Sequence, residues 1–254
     1  MDPVTIVGMA SLVGVGWWLR RAGRATRRLA AGSPCAEDAE IAMHVAVHEV
    51  KARKQPWLSS IHLLYGLVQD EAVVAAIRAA GGDPEVLEDR LLSALDEHRS
   101  TIEGGQEAER VFGYAVAVAQ ARRERASCVD LWAGLSMHGA SIGALFDAAR
   151  IDPASVLFHL FHGAEPPIAD AMVGHWDVVL RNDHYTTKEF VVEVLEQVFA
   201  FPPAEAETHM QTVHEQGRAA VARLRAGEAR AKVLEARRRA RAHGFPLWIG
   251  VEPT

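Results

Sequence analysis

Apolar residues recur at helical spacing along the chain between residues 37 and 163. The pattern predicts a long helix over 39–54 and a second over 60–69, then a short third helix and a fourth that begins at Asp83-Pro84. Asp before Pro is typical of a helix start, because Asp accepts bonds from free N–H groups and Pro has no N–H to leave unsatisfied. These segments are too rich in Ala and Leu to predict strands. We therefore predict an all-α domain over 37–163.

The helical pattern occurs twice. The run from His62 to Leu67, His-Leu-Leu-Tyr-Gly-Leu, returns 68 positions later as Asp-Leu-Trp-Ala-Gly-Leu, beginning at Asp130. Asp83-Pro84 returns as Asp152-Pro153, with one residue added before it. The second copy predicts helices over 108–125 and 128–138, a short third helix and one after the second Asp-Pro. Two such units would bury their apolar faces against each other.

A different pattern starts near Trp176. The apolar run Val178-Val179-Leu180 predicts a strand that ends at Asn182 and Asp183. Thr186, with Glu189 three residues later, predicts a capping box that opens a helix. Further on, Met210 and His214 are four residues apart, which places a thioether and an imidazole on one helical face.

The polar residues of this region suit a protonated amine. An Asn oxygen, an Asp carboxylate and the free nitrogen of a neutral His are all acceptors, and an ammonium group has three donors. Asn182, Asp183 and His214 could therefore hold one ammonium group together. The alternative is a capped turn and an ordinary helix with a solvent-facing His.

The order of these residues resembles the ClpS family of N-degron adaptors, small proteins that deliver substrates to a Clp protease. The resemblance covers Trp176 to about Glu252, and its marks include Asn-Asp-x-Tyr-Thr from Asn182 and Met-x-x-Val-His-x-x-Gly from Met210. It implies a small α+β domain over 175–254, with helices on a three-stranded antiparallel sheet.

The resemblance also implies roles for single residues. The α-amine of an N-degron would be bound by Asn182, Asp183 and His214. Lys188 would lie at the pocket rim, where the family commonly has Met or Leu. The large hydrophobic first side chain would enter a pocket formed by Thr186, Val191, Val194, Met210, Val213 and Leu247.

Two further positions depart from the family. The residue after Asp183 is His184, where the family usually carries a second Asp, so the negative field near the amine is weaker. The family docks on its unfoldase through an acidic residue and a Lys at the start of the last helix. Lys232 keeps its place, but Gly227 occupies the acidic position and Glu228 follows one residue later, turned by about 100° around the helix.

The duplicated helical block resembles the N-terminal domain of ClpA-type Clp unfoldases, the platform that ClpS binds. The chain would then join an adaptor to a copy of its own receptor through a linker over 164–174. No Walker A sequence, Gly-x-x-x-x-Gly-Lys-Ser/Thr, occurs in the printed sequence, so the ATPase engine of the unfoldase is not expected.

Residues 4–19 carry no charge, and five arginines follow by Arg28. A spanning helix needs about 20 residues and can form with about 17, so with residues 1–3 the run is just long enough. Arginines after the run are the reverse of a signal peptide, and the positive-inside rule predicts a single-pass inner-membrane anchor with the bulk of the chain facing the cytoplasm. We assign residues 1–36 to this transmembrane helix and its basic flank. The alternative is a peripheral or partner-packed helix.

Composition excludes several functions. The 254 residues carry a formal net charge of −6 and show no basic patch with interleaved aromatics, which argues against a nucleic-acid partner. Cys35 and Cys128 lack disulfide or zinc spacing. The basic cluster Arg237-Arg238-Arg239 with Arg241 is predicted to be a solvated helix face. Two histidine pairs are predicted to lie on helix surfaces rather than to bind a metal: His44 with His48, and His159 with His162.

The sequence therefore predicts an α+β protein overall that recognises N-degrons for Clp-mediated degradation. No nucleophile elbow, activated cysteine or pair of catalytic carboxylates is evident, so we expect no enzyme activity, cofactor or metal. The expected partners are N-degron-bearing proteins, a ClpA-type unfoldase and a membrane. The alternative is a membrane-tethered regulatory or sequestering scaffold, whose two domains bind each other without delivering substrate.

Overall fold

The computed structural model describes residues 33–97, 100–168 and 173–254. It divides into two compact units between Val156 and Leu157, before the predicted boundary at Gly163. The predicted membrane anchor over 4–19 lies outside the described residues. Within the three described ranges, no single helix is both long and apolar enough to cross a membrane, and two short helices pass that test only as a pair bent by 92°.

The first unit is built from helices. The long apolar-periodic segments form helices because their buried positions recur every three or four residues. The helices are α1 (Glu37–Ala52), α2 (Ser60–Leu67), α3 (Glu71–Ala79), α4 (Pro84–Glu97), α5 (Ile102–Ala121), α6 (Cys128–His138), a 3₁₀ turn (Ala140–Ile142), α7 (Gly143–Ala148) and α8 (Pro153–His162), whose last six residues belong to the second unit.

The local geometry of the first unit repeats with the sequence. Helix α2 begins with a capping box between Ser59 and His62, and α6 begins with one between Ser127 and Asp130. In each box the serine side chain accepts a bond from the backbone N–H three residues later, and the side chain of that later residue accepts one from the serine N–H. These bonds satisfy N–H groups that have no partner within the helix. The predicted duplication therefore extends to the helix caps, although one copy uses an imidazole and the other a carboxylate.

A close helix contact is repeated as well. A Cβ added to Gly66 in α2 would lie 2.2 Å from the Ala42 carbonyl oxygen of α1, and one added to Gly134 in α6 would lie 2.5 Å from the Val111 carbonyl oxygen of α5. Because no real Cβ approaches an oxygen so closely, only glycine fits at either crossing. The two glycines thus set the distance between the first two helices of each copy.

The second unit combines the end of α8 with an antiparallel sheet and three further helices. The sheet has the order β2-β1-β3, so the strand that ends at the candidate site lies in its centre, with a bulge between Val178 and Val179. This confirms the predicted helices followed by a three-stranded antiparallel sheet. The elements are β1 (His175–Arg181), α9 (Lys188–Gln197), α10 (Pro203–Gln216), β2 (Arg218–Arg225), α11 (Ala226–Ala242) and β3 (Trp248–Pro253).

Candidate functional site

The centre of the site forms where α10 ends beside the end of β1. Gly217 ends α10 with φ of 77°, a left-handed conformation that glycine adopts readily. Its carbonyl accepts a 2.8 Å bond from the Asn182 backbone N–H. This bond brings His214, in the last turn of α10, next to the Asn182 side chain.

Asn182 and His214 form a pair of polar groups open to solvent. The Asn182 Oδ1 and His214 Nδ1 atoms lie 3.4 Å apart, and the His214 side chain is exposed whereas Asn182 is half-buried. Whichever ring nitrogen carries the proton, a neutral imidazole keeps one acceptor nitrogen. The pair can therefore accept bonds from a donor group that approaches from solvent.

Asp183 directly follows Asn182 in the chain but is buried. Its side chain is fully buried. Its Oδ1 accepts bonds from the Tyr185 and Thr186 N–H groups at 2.8 and 2.6 Å, and its Oδ2 accepts from the Thr186 hydroxyl at 2.8 Å. The carboxylate thus holds its own turn together, and we reinterpret its predicted direct bond to a bound amine as an electrostatic role.

The predicted capping box was wrong. The Thr186 hydroxyl donates to Asp183, and α9 starts at Lys188 with Thr187 as its N-cap. The Phe190 N–H donates to the Thr187 hydroxyl at 3.3 Å. The helix starts one residue later than predicted because the tight Asp183 turn uses the first threonine.

Asp183 remains ionised at neutral pH. Burial alone would raise the pKa of its carboxyl, but His162 and the bonds from Thr186 and Tyr185 favour the charged form and lower the pKa below its ordinary value. A fixed negative charge is therefore held in the turn that directly follows Asn182.

This lowered pKa predicts how stability depends on pH. A carboxyl with a depressed folded-state pKa contributes stability above its unfolded pKa, near 3.9, and loses it as pH falls through the folded value. We expect Asp183→Asn to lower the unfolding free energy at pH 7 by about 1.5–3 kcal/mol, the size of one charged hydrogen bond. The deficit should shrink at pH 3, as measured by denaturant unfolding.

Asp177→Asn is the matched control. Asp177 lies on β1, the strand that leads to the Asp183 turn, and its pKa is also lowered by hydrogen bonds, here from the exposed Arg223. An exposed pair of this kind contributes little to stability. If both variants lose equal stability at pH 7, the buried Asp183 carboxylate stabilises the fold no more than the exposed Asp177 carboxylate does.

The predicted hydrophobic pocket residues belong to one apolar cluster. Val194, Val213 and Leu247 are buried in the core of the second unit, and Val191 and Met210 are half-buried and pack against that core. Thr186 is half-buried in the turn, and Lys188 is exposed at the first residue of α9. The structure thus brings the apolar residues of α9, α10 and the segment before β3 into one cluster, and α10 also carries His214.

Sequence reasoning missed one neighbour of the turn. His162 was predicted to be a surface histidine, but its side chain is only 7% exposed and its Nε2 lies 3.9 Å from the Asp183 Oδ2. The missed signal is the spacing of Phe158 and Phe161, four and one residues before it, which gives the end of α8 an apolar face.

The predicted solvated arginine face was also wrong in part. The side chains of Arg237 and Arg241 are only 11% and 15% exposed. Each donates to a backbone carbonyl, Arg237 to Ile249 at 3.0 Å and Arg241 to Phe245 at 2.9 Å. Burial is compatible with their charge because guanidinium groups here find several oxygen acceptors.

The predicted docking residues make contacts within the unit. The Lys232 Nζ donates a 2.6 Å bond to the Val198 carbonyl at the end of α9 and lies 3.8 Å from the Glu228 carboxylate. Lys232 therefore stabilises the C-terminal end of the helix that carries Val191 and Val194.

No metal centre is apparent in the part of the chain that the structure describes, where no group of three or more His, Cys, Asp or Glu side chains could hold an ion. His44 and His48 are both exposed, as predicted. Cys35 and Cys128 are buried free thiols, and burial raises the pKa of Cys35 to about 12, which makes it a poor nucleophile.

Two family models match the chain. Residues 173–250 match ClpS, the ATP-dependent Clp protease adaptor protein, and residues 35–156 match the Clp repeat N-terminal domain. The ClpS of Pectobacterium carotovorum subsp. carotovorum is 40% identical over 77 residues, which cover 30% of this chain and 73% of the relative. That of Nitratidesulfovibrio vulgaris is 46% identical over 75 residues, 30% of this chain and 75% of the relative.

A solved structure also matches. It is Agrobacterium tumefaciens ClpS2 bound to L-phenylalaninamide, which is 36% identical. The match covers 32% of this chain and 96% of that one, with a TM-score of 0.31.

Proposed function

Because the chain belongs to the ClpS family of Clp protease adaptors, with a Clp repeat domain before the adaptor domain, we propose that it recognises N-degrons for ATP-dependent degradation. An N-degron here is a free α-amine followed by a large hydrophobic first side chain. The amine would bind to Asn182 and His214, above the buried charge of Asp183.

The observation that carries this proposal is the juxtaposition of Asn182 and His214, 3.4 Å apart and open to solvent, with an apolar cluster to which the helix of His214 contributes Met210 and Val213. A protonated amine offers three donors, and the pair offers acceptors over a fixed negative charge. The half-buried Met210 lies one helical turn before His214 and suits side chains of varied shape. Binding of a Phe-starting peptide, with and without an acetylated amine, tests the proposal.

The proposed recipient of the cargo is a ClpA-type unfoldase. The Clp repeat domain and the relatives' role as adaptors both support this class of partner. Lys232 is occupied by the Val198 carbonyl and Glu228, so docking through this face would exchange an internal bond for an external one. The alternative of a sequestering scaffold has less support, since the relatives reported above are adaptors.

We also propose that residues 4–19 tether the adaptor to the inner membrane. The support is the sequence: an uncharged run of membrane length with five arginines after it. The tether would confine cargo recognition to the membrane surface.

Removing residues 1–28 is expected to move the protein from the membrane fraction to the soluble fraction. Carbonate and high salt should fail to extract the full chain, because an inserted apolar helix does not depend on surface charge. Fractionation followed by immunoblotting measures both results. Ready extraction by salt would favour a peripheral helix instead.

A further inference from the structure

A segment before the matched adaptor domain is part of the second unit. We call residues 157–168 the strap; it comprises the end of α8 and the chain that follows. Phe158 in the strap is buried in a cluster with Val179 of β1 and Trp248 of β3. The Arg241 guanidinium lies 4.2 Å from the centre of the Phe158 ring, a cation–π distance.

The far end of the strap is held by the two half-buried arginines of α11. Arg237 donates to the Pro166 carbonyl at 2.8 Å, and Arg241 donates to the Glu165 carboxylate at 2.8 Å. A Cβ added to Gly250 of β3 would lie 2.9 Å from the Pro166 ring, so the strap approaches the sheet backbone closely. Residues 164–168, predicted to be part of a linker, are therefore fixed against the sheet and α11.

The last turn of α8 lies against the turn that Asp183 forms with Tyr185 and Thr186. The Phe161 ring is edge-on to Tyr185 at 5.4 Å and to His184 at 5.8 Å, centre to centre. Beside it, the His162 Nε2 is buried, has no hydrogen-bond partner and lies 3.9 Å from the Asp183 Oδ2. That separation is beyond an ordinary hydrogen bond but close enough for a strong effect of charge in a buried site.

The charge state of His162 decides what the buried carboxylate does. With a neutral imidazole, the negative charge of Asp183 is uncompensated by His162 and attracts an ammonium ion above the turn. With a protonated imidazole, the two groups form a buried ion pair and the field at the surface falls. Arg241 lies across the Phe158 ring and is paired with Glu165, and the titratable His159 and His184 lie beside Phe158 and Phe161.

We propose that His162 is a positioning residue for the amine site: it fixes the Asp183 turn and sets how much of the carboxylate's charge reaches a bound ammonium ion. Its role rests on the proposed amine recognition, whereas its effect on the turn does not. The strap then contributes to the function of the adaptor, although it lies outside the residues that match the ClpS family.

Three variants of the full chain test the inference: His162→Ala, His162→Gln and, as the matched control in the same turn, His159→Gln. The first measurement is hydrogen exchange at the Tyr185 and Thr186 amides, whose N–H groups donate to Asp183. His162→Ala should speed this exchange by about fivefold or more, because the turn loses its buried support. His162→Gln, which keeps a donor, should restore slow exchange.

The second measurement is the affinity for a Phe-starting peptide with a free amine. We expect His162→Ala to weaken binding by about fivefold, the lower end of coupling between linked groups. His162→Gln, which keeps a polar group beside the carboxylate, should bind nearly as tightly as the wild type. His159→Gln should match the wild type in both measurements.

The outcomes separate the two proposals. Unchanged amide exchange in His162→Ala overturns the inference whether or not a peptide binds. Faster exchange with unchanged affinity overturns it too, since the turn would then not serve the amine. If the wild type binds no free-amine peptide, the proposed function fails, while the exchange result still decides the structural half of the inference.

Discussion

Acetylation of a Phe-starting peptide is expected to abolish its detectable binding to this protein. The free amine would make bonds to Asn182 and His214, and each charge-assisted bond contributes about 1.5–3 kcal/mol. Loss of both is equivalent to an affinity change of about 100-fold or more. Calorimetry or fluorescence anisotropy with the full chain measures the difference between the two peptides.

Single-residue variants test which side chains are responsible for peptide binding. His214→Ala should weaken binding of the free-amine peptide by about tenfold or more, and should have little effect on binding of the acetylated peptide. Met210→Ala should weaken binding less, because it trims an apolar surface that buries a side chain worth roughly 1.5–3 kcal/mol in total. His209→Ala is the control on the same helix, where His209 contacts Glu205 and Phe201 rather than the site. Equal affinity for acetylated and free peptides would reject amine recognition.

Gly66→Ala is expected to destabilise the helical unit by about 3 kcal/mol or more, the upper range for overpacking. The new methyl would lie 2.2 Å from the Ala42 carbonyl oxygen, so α1 and α2 would have to separate. Gly134→Ala should act in the same way at the crossing of α5 and α6. Thermal unfolding, followed by circular dichroism, measures both variants.

Gly113→Ala is the matched control for this prediction. Gly113 lies inside α5, and a Cβ there has no neighbour within 4 Å. Alanine is the better helix former, so the change should stabilise by about 0.5–1 kcal/mol. A similar loss at Gly66 and Gly113 would mean that helix propensity, and not the close crossing, determines the effect.

Local patterns allowed much of this structure to be predicted. Helix starts at Asp83 and Asp152 depend on a side chain and the N–H groups two or three residues later, and both form as expected. The duplication was evident because both copies keep their glycines and caps. The strand that leads to Asn182 was predicted for the same reason, since a short apolar run ends at polar turn residues.

Features that depend on distant residues were not predicted. The burial of Asp183 depends on where the last turn of α8 packs, and no local pattern encodes that position. A basic cluster of this kind is expected to be solvated, yet Arg237 donates to carbonyls of β3 and the strap, and Arg241 donates to the Phe245 carbonyl before β3. Buried charge of this kind follows from tertiary acceptors.

The two capping boxes hold the starts of α2 and α6 by different chemistry. In the first, the His62 Nδ1 accepts from the Ser59 N–H at 3.2 Å, which a protonated imidazole cannot do. In the second, Asp130 accepts from the Ser127 N–H at 3.0 Å and is also paired with Arg122. The start of α2 therefore depends on which His62 ring nitrogen carries the proton, whereas the start of α6 depends on a carboxylate held by an arginine, so the caps of the two copies are not interchangeable.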